Sequence, residues 1–302
     1  MSKSTKWFLI IFGVLVFIGI GFVLLIYGIA SSVGDRTEVV TTGYGSKIAV
    51  VELQGVITSS EDIVRQLKKY RGNGSIKGIL LRVDSPGGGV VASQEIYEEV
   101  RKTRDSGKPV VVSMGALAAS GGYYVSCGAS RLVANRGTLT GSIGVISEFL
   151  QLKEALDKLG VSVKTIKSGK LKDSGSSTRK MTEEDERYFQ ELMDDVHRQF
   201  IAVVENERHL DHDLVVSIAD GRVFTGEQAV EKGLVDTLGT FEDAIHITAR
   251  MCGISGEPAI VKERRVRSLW QGIFGDMDDT ITGLKQELLG KPALSYRFTG
   301  PY

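Results

Sequence analysis

Residues 7–29, "WFLIIFGVLVFIGIGFVLLIYGI", contain no charged side chain. At 1.5 Å rise per residue such a run makes a helix of roughly 34 Å, enough for a bilayer hydrocarbon core of about 30 Å. A cleavable secretory signal has an apolar region of only about 7–15 residues. This run is longer, and no convincing A-x-A cleavage site follows it. A helix buried in a soluble core would show polar residues on some face, and this one shows almost none. The sequence therefore predicts an uncleaved membrane anchor, with Trp7 and Tyr27 near its ends where amphipathic rings favour the interface. Lys3 and Lys6 precede it, and Asp35, Arg36 and Glu38 follow. The positive-inside rule then places residues 1–6 in the cytoplasm and everything after about residue 30 outside it.

Beyond the anchor the pattern changes to an alternation. Residues 30–46 are polar and glycine-dotted and read as a linker. "KIAVVELQGVI" is a β-branched run suited to a buried strand, and "SEDIVRQLKKY" has helical spacing at Ile63, Leu67 and Tyr70. "IKGILLRVDS" is again a strand, "VASQEIYEEVRKTRDSG" a helix ending at Gly107, and "KPVVVSMG" a strand. A short helix follows Ser120, then the strand "RLVANR", the helix "FLQLKEALDKLG" and the strand "VSVKTIKSG". A long helix is predicted from Thr182 to Glu207, with Thr182 as cap and Asp185 closing an acidic capping box. Alternating apolar strands and helices define an α/β fold with a largely parallel sheet. We assign residues 47–250 to one domain and residues 251–302 to an amphipathic segment and tail. Val266, Leu269, Trp270 and Ile273 share a helix face there, suited to docking on the domain, on a second subunit or on a membrane surface.

Composition narrows the function classes. Lys plus Arg and Asp plus Glu both number 37, which gives no footing for a nucleic-acid surface. The two cysteines, Cys127 and Cys252, form no C-x-x-C or Cys/His cluster, which argues against a zinc site. Two glycine-rich stretches remain. "RVDSPGGGV" (82–90) lacks the G-K-[ST] of a phosphate loop, so its glycines mark a tight turn or a backbone that approaches a ligand closely. "GALAASGGYYVSCG" (115–128) sets Ser120 among small residues at a helix start, which suits either an N-cap serine or a nucleophile. A serine nucleophile needs a base, yet the four histidines all lie at or after residue 197. Lysine can serve if held neutral, which means lowering its ordinary pKa by roughly 3 units, about 4 kcal/mol against the charged form. Lys167, Lys170, Lys172 and Lys180 are the candidates, and composition does not choose among them.

Taken in order, "DSPGGG", "LAASGGYY", "TLTGSIGV", "KSGKLKD" and "GRVFTGEQAVEKGLVDTLG" closely resemble the signal peptide peptidase A family of membrane-anchored serine proteases. The likeness spans roughly residues 46–250. It implies a crotonase-like or Clp-protease-like fold of stacked ββα units and a Ser/Lys dyad. By motif position it implies Ser120 as nucleophile and Lys172, in the pattern Gly169 to Asp173, as general base, with Lys170 the nearby competitor. Gly88 and Gly121 correspond to the oxyanion-hole donors, and "TGSIGV" (140–145) to the wall beside the nucleophile. In that family the serine and lysine of one site come from neighbouring domains or subunits. A single-domain chain like this one is then expected to form a homo-oligomeric ring, an octamer, over the membrane. Its substrates would be remnants of cleaved signal peptides, with no metal or cofactor required. The resemblance does not extend past residue 262. The tail "KPALSYRFTGPY" is expected to be mobile, or else to lie in the substrate groove. Two other readings stay open: an acyl-CoA chemistry on the same fold, opposed by the outward orientation, and a non-catalytic membrane scaffold.

Overall fold

The β-branched runs become strands buried on both faces. The computed structural model describes residues 3–32, 36–40, 45–265 and 294–299. In chain order the elements are α1 (Lys3–Ser32), β1 (Arg36–Val40), β2 (Lys47–Gln54), α2 (Glu61–Gly72), β3 (Ile76–Ser85), β4 (Gly87–Gly89), α3 (Val90–Asp105), β5 (Val110–Ala119) and α4 (Gly121–Cys127). They continue as β6 (Arg131–Ala134), β7 (Leu139–Gly141), α5 (Lys153–Lys158), α6 (Glu183–Arg208), α7 (His212–Ile218) and β8 (Val223–Thr225). Last come α8 (Gly226–Glu231), β9 (Thr237–Leu238), α9 (Phe241–Met251), β10 (Ala259–Arg265) and β11 (Ser295–Arg297).

Two compact units result, Met1–Val39 with Lys262–Lys291, and Val40–Val261 with Pro292–Tyr302. The first contains α1, whose stretch Thr5–Leu25 is long and apolar enough to cross a membrane. Its described side chains are exposed, Phe17 by 80%. The second contains the sheet, ordered β10-β2-β3-β5-β6-β9, in which every neighbouring pair from β2 to β9 is parallel. Alternate residues serve two cores. Ala49, Val51, Ile79, Leu81, Val110 and Val112 pack on one side with residues of α2, α3, α4 and α6. Ile48, Val50, Leu80, Val111 and Val133 pack on the other against Ala244, Ile245 and Ala249 of α9. Coverage of both faces is why these strands read as near-continuous apolar runs.

The central strand β5 aims the site. It pairs with β6 at Val111–Ser113 and with β7 at Leu117–Ala119. Between these the register to β3 shifts, so two residues of β3 match four of β5. Asp84 holds this irregularity by accepting the Leu117 N–H at 3.0 Å, and Thr138 donates to the Gly115 carbonyl at 2.7 Å. Such bulges bend a strand and re-aim the residues at its end, here Ser120 and the start of α4.

Three elements depart from expectation. Helix α6 begins as predicted, with both bonds of the Thr182–Asp185 capping box formed. The predicted helix over 149–160 is formed only at Lys153–Lys158. The predicted strand "VSVKTIKSG" has no regular structure, and Val161, Val163 and Ile166 are exposed, Ile166 by 90%. Its β-branched residues have strand propensity but no partner strand among the described residues, and propensity alone does not make a sheet. The tail, expected to be mobile, is ordered over residues 294–299 as a strand on β4. The amphipathic face at Val266, Leu269, Trp270 and Ile273 lies outside the described residues.

Candidate active site

Ser120 joins β5 to α4 with φ 53° and ψ −116°, a conformation that side-chain-bearing residues rarely adopt. Its N–H donates to the Gly141 carbonyl at 2.7 Å and its carbonyl accepts from Tyr124 N at 2.8 Å, which locks the turn from both sides. Although Ser120 occupies the cap position of α4, its hydroxyl makes no capping bond. Helix capping therefore does not account for a serine here. The residue is 1% exposed and lines a cavity of about 410 Å³. Among the described residues, positive φ outside glycine occurs only at Ser120, Ser142 and His209. Ser142 lines the same cavity, with Gly144, Val145 and Ile146, so the segment 140–145 does flank Ser120. Backbone strain of this kind costs about 1–3 kcal/mol per residue and concentrates at functional sites.

The glycine triplet forms β4 beside Ser120. Gly87 has φ +91°, and a Cβ there would lie 2.5 Å from Gly121 N and 2.0 Å from the Tyr296 carbonyl oxygen. A Cβ on Gly88 would lie 2.2 Å from the Ile57 carbonyl oxygen. No larger residue fits either place. The amides divide by strand alternation. Gly87 N–H donates to Ser85 Oγ at 3.1 Å, and Gly89 N–H donates to the Ile57 carbonyl at 2.8 Å. Gly88 therefore faces the opposite edge, where Tyr296 is its partner in register. Gly121 opens α4, where helical N–H groups lack partners within the helix. The carbonyl oxygen of Tyr296, in register with Gly88, also lies close to Gly121, 3.1 Å from where a Cβ there would stand.

The tail lies there as a strand between two edges. Phe298 N–H donates to the Pro86 carbonyl at 2.8 Å on the β4 side. Ser295 and Ile146 exchange both bonds, at 3.1 and 2.9 Å, on the other. The Tyr296 ring is fully buried, stacked on Tyr124 with centroids 5.1 Å apart and tilted against Phe200 at 4.8 Å. Its hydroxyl donates to the Val196 carbonyl at 3.2 Å. Arg297, Phe298 and Thr299 continue into the cavity.

The four lysines differ in their partners. Lys167 pairs with Asp173 at 2.5 Å, Lys170 with Glu184 at 2.6 Å and Lys180 with Glu154 at 3.2 Å. Lys172 is exposed and, among the described residues, is the one of the four whose amine has no carboxylate partner. A carboxylate partner stabilises a charged amine, the opposite of what a base requires. None of the four lines the Ser120 cavity. One face of α6 does line it: Gln190, Met193, Asp194 and His197, at intervals of three and four residues. His197 Nε2 is buried without a hydrogen-bond partner. Sequence reasoning missed this face, although its helical spacing was visible, because nothing local says what a helix face meets. Cys127, seven residues past Ser120, is a free buried thiol, pushed up to about 12 by burial and so unreactive.

A parallel-sheet α/β unit with a strained serine at a strand–helix turn, beside a glycine-rich strand, is an arrangement that serine hydrolases use. The pattern of peptidase family S49 matches residues 102–254. A putative protease of Synechocystis is 44% identical over 215 residues, covering 70% of this chain and 77% of that one. A putative signal peptide peptidase of Enterococcus faecium is 43% identical over 185 residues, 61% and 54% of the two chains. Protease 4 of Salmonella typhi is 38% identical over 216 residues, 68% of this chain but 35% of that one. The chain belongs to peptidase family S49 and is a peptidase.

Proposed function

We propose that the protein is a membrane-anchored serine endopeptidase in which Ser120 of one copy is activated by Lys172 of another. The observation that carries this reading is the Tyr296 carbonyl, seated beside Gly88 and Gly121 at the turn that bears Ser120. A substrate's scissile carbonyl would take the same place. Ser120 Oγ then attacks the carbonyl carbon, and neutral Lys172 takes the hydroxyl proton and returns it to the leaving amine. The Gly88 and Gly121 amides hold the oxyanion, each worth on the order of 10²–10³ in rate. Water, deprotonated by the same lysine, releases the acyl group.

The fold on this reading is crotonase-like. The absence of any candidate lysine from the Ser120 cavity supports a site shared between copies. So do the exposed apolar residues Leu150, Leu159, Val161, Val163 and Ile166, which precede Lys172 in the chain. Exposed apolar patches of this kind mark interfaces. A ring, octameric by family resemblance, fits both. Helix α1 would anchor it with residues 1–6 in the cytoplasm and the sheet outside. Substrates would be peptides left at the membrane, such as signal-peptide remnants. The pocket made by Tyr124 and Phe200 selects a large aromatic or apolar residue before the cleaved bond.

One observation favours a second reading. His197 shares the cavity with Ser120 and leaves Nε2 unpartnered, which makes it the alternative base within one chain. Fluorophosphonate labelling of the full-length protein in detergent, followed by peptide mapping, separates the two. The expected result is labelling at Ser120 that disappears in Ser120→Ala and Lys172→Ala and survives in His197→Ala. Labelling lost in His197→Ala but retained in Lys172→Ala would establish the second reading. No labelling of an assembled wild-type sample would leave the scaffold reading.

A further inference from the structure

Lys172 stands in a stretch without helix or strand, Val161 to Met181, held by backbone turns such as Lys172 N–H to the Gly169 carbonyl at 3.2 Å and by side-chain bonds. One side chain makes three of the side-chain bonds. Arg179 donates from Nη1 to Asp185 Oδ2 at 2.5 Å, and from Nη2 to Asp185 Oδ1 and Asp173 Oδ1, both at 3.0 Å. Asp173 is the residue next to Lys172. It also accepts from Lys167 Nζ at 2.5 Å, and the same amine reaches back to the Lys170 carbonyl at 2.7 Å. Asp173 is thus held by two cations, one before Lys172 in the chain and one after it.

The other end of the clamp is Asp185, 2% exposed, in the first turn of α6. Capping requires only its bonds to Thr182, through Oδ2. Arg179 and Ser174, the latter at 2.5 Å, engage the carboxylate further and exceed what a helix start needs. Arg179 holds both carboxyls below their usual range. The same helix, one to three turns on, presents Gln190, Met193, Asp194 and His197 to the Ser120 cavity. A continuous set of bonds therefore ties the backbone at Lys172 to a rigid element that also shapes a nucleophile's cavity.

We propose that Arg179, acting through Asp173 and Asp185, is the positioning residue that fixes Lys172 for its approach to the Ser120 of another copy. This rests on the shared Ser/Lys site. A bidentate guanidinium suits the task, since its planar fork fixes direction as well as distance. Misplacement of a catalytic group by about 1 Å can cost on the order of 10²-fold in rate. Arg179→Gln is expected to lower kcat by about that factor with KM little changed, and Arg179→Lys to recover only part of it. Asp173→Asn, which leaves the capping box and the Arg179–Asp185 pair intact, is expected to show the same pattern with near-native stability.

Mixed assemblies of full-length chains in detergent, with different tags on the two partners, test where Arg179 acts. The reference pair, Ser120→Ala with Lys172→Ala, regains peptidase activity on the shared-site reading. Arg179→Gln should regain activity equally well with Ser120→Ala, to which it supplies the serine. It should regain none beyond its own residual level with Lys172→Ala, because both chains are then defective in the lysine half. Activity regained with Lys172→Ala, failure with both partners, or wild-type kcat in Arg179→Gln alone would overturn the proposal. A silent reference pair would overturn the shared site itself, and the proposal with it.

Discussion

Ser120 is asked to do two incompatible things, to carry a side chain and to adopt φ 53° with ψ −116°. Glycine would hold that backbone without strain, so the serine is retained at a cost of about 1–3 kcal/mol. Ser120→Gly is accordingly expected to be more stable than Ser120→Ala by about 1–2 kcal/mol, while both are inactive. Denaturant unfolding of the two variants measures the difference, and equal midpoints would show that the turn is unstrained. The sequence made Ser120 and the glycines around it legible because small residues in a row have few other reasons to exist. It left two uses of Ser120 open, helix cap and nucleophile, because capping depends on where a hydroxyl points. It also set histidine aside on position along the chain, whereas folding brings His197 to the same cavity.

Among the elements, those specified by neighbouring residues were readable and those specified by distant ones were not. Helix α6 was legible because Thr182 and Asp185 sit three apart and the helix runs on directly from them. "VSVKTIKSG" was misread because alternation reports strand propensity and not the presence of a partner. The tail was readable only as mobile or groove-bound, because nothing local shows that β4 offers it an edge and that Tyr124 and Phe200 offer a pocket. On the proposed function its docking has a functional cost, with Tyr296 in the place that a substrate residue would take. Removing the chain after residue 290, or replacing Tyr296 by Ala, is expected to raise kcat/KM toward a peptide with an aromatic residue before the cleaved bond. Two aromatic contacts of about 0.5–1.5 kcal/mol each are lost from the tail by Tyr296→Ala, so the gain should be roughly 5- to 150-fold. Unchanged or lower kcat/KM would mean that β11 is a structural strand and not an occupant of the groove.

At the scale of the whole molecule, a single chain holds both halves of the proposed dyad without bringing them together. Ser120 is buried where the central strand β5 ends, whereas Lys172 is exposed on a stretch whose apolar residues have no cover. The family resemblance points to both residues from sequence, and the fold leaves Lys172 outside the cavity that Ser120 lines. That separation is the physical reason to expect an assembly, because a lysine in open solvent lacks the desolvation that would make it a base. The most direct measurement mixes full-length Ser120→Ala and Lys172→Ala chains, distinguishable by mass, and locates the fluorophosphonate adduct. The account predicts no adduct on either chain alone, and in the mixture an adduct at Ser120 of the Lys172→Ala chain. An adduct on the Lys172→Ala chain alone, at the rate of wild type, would contradict it.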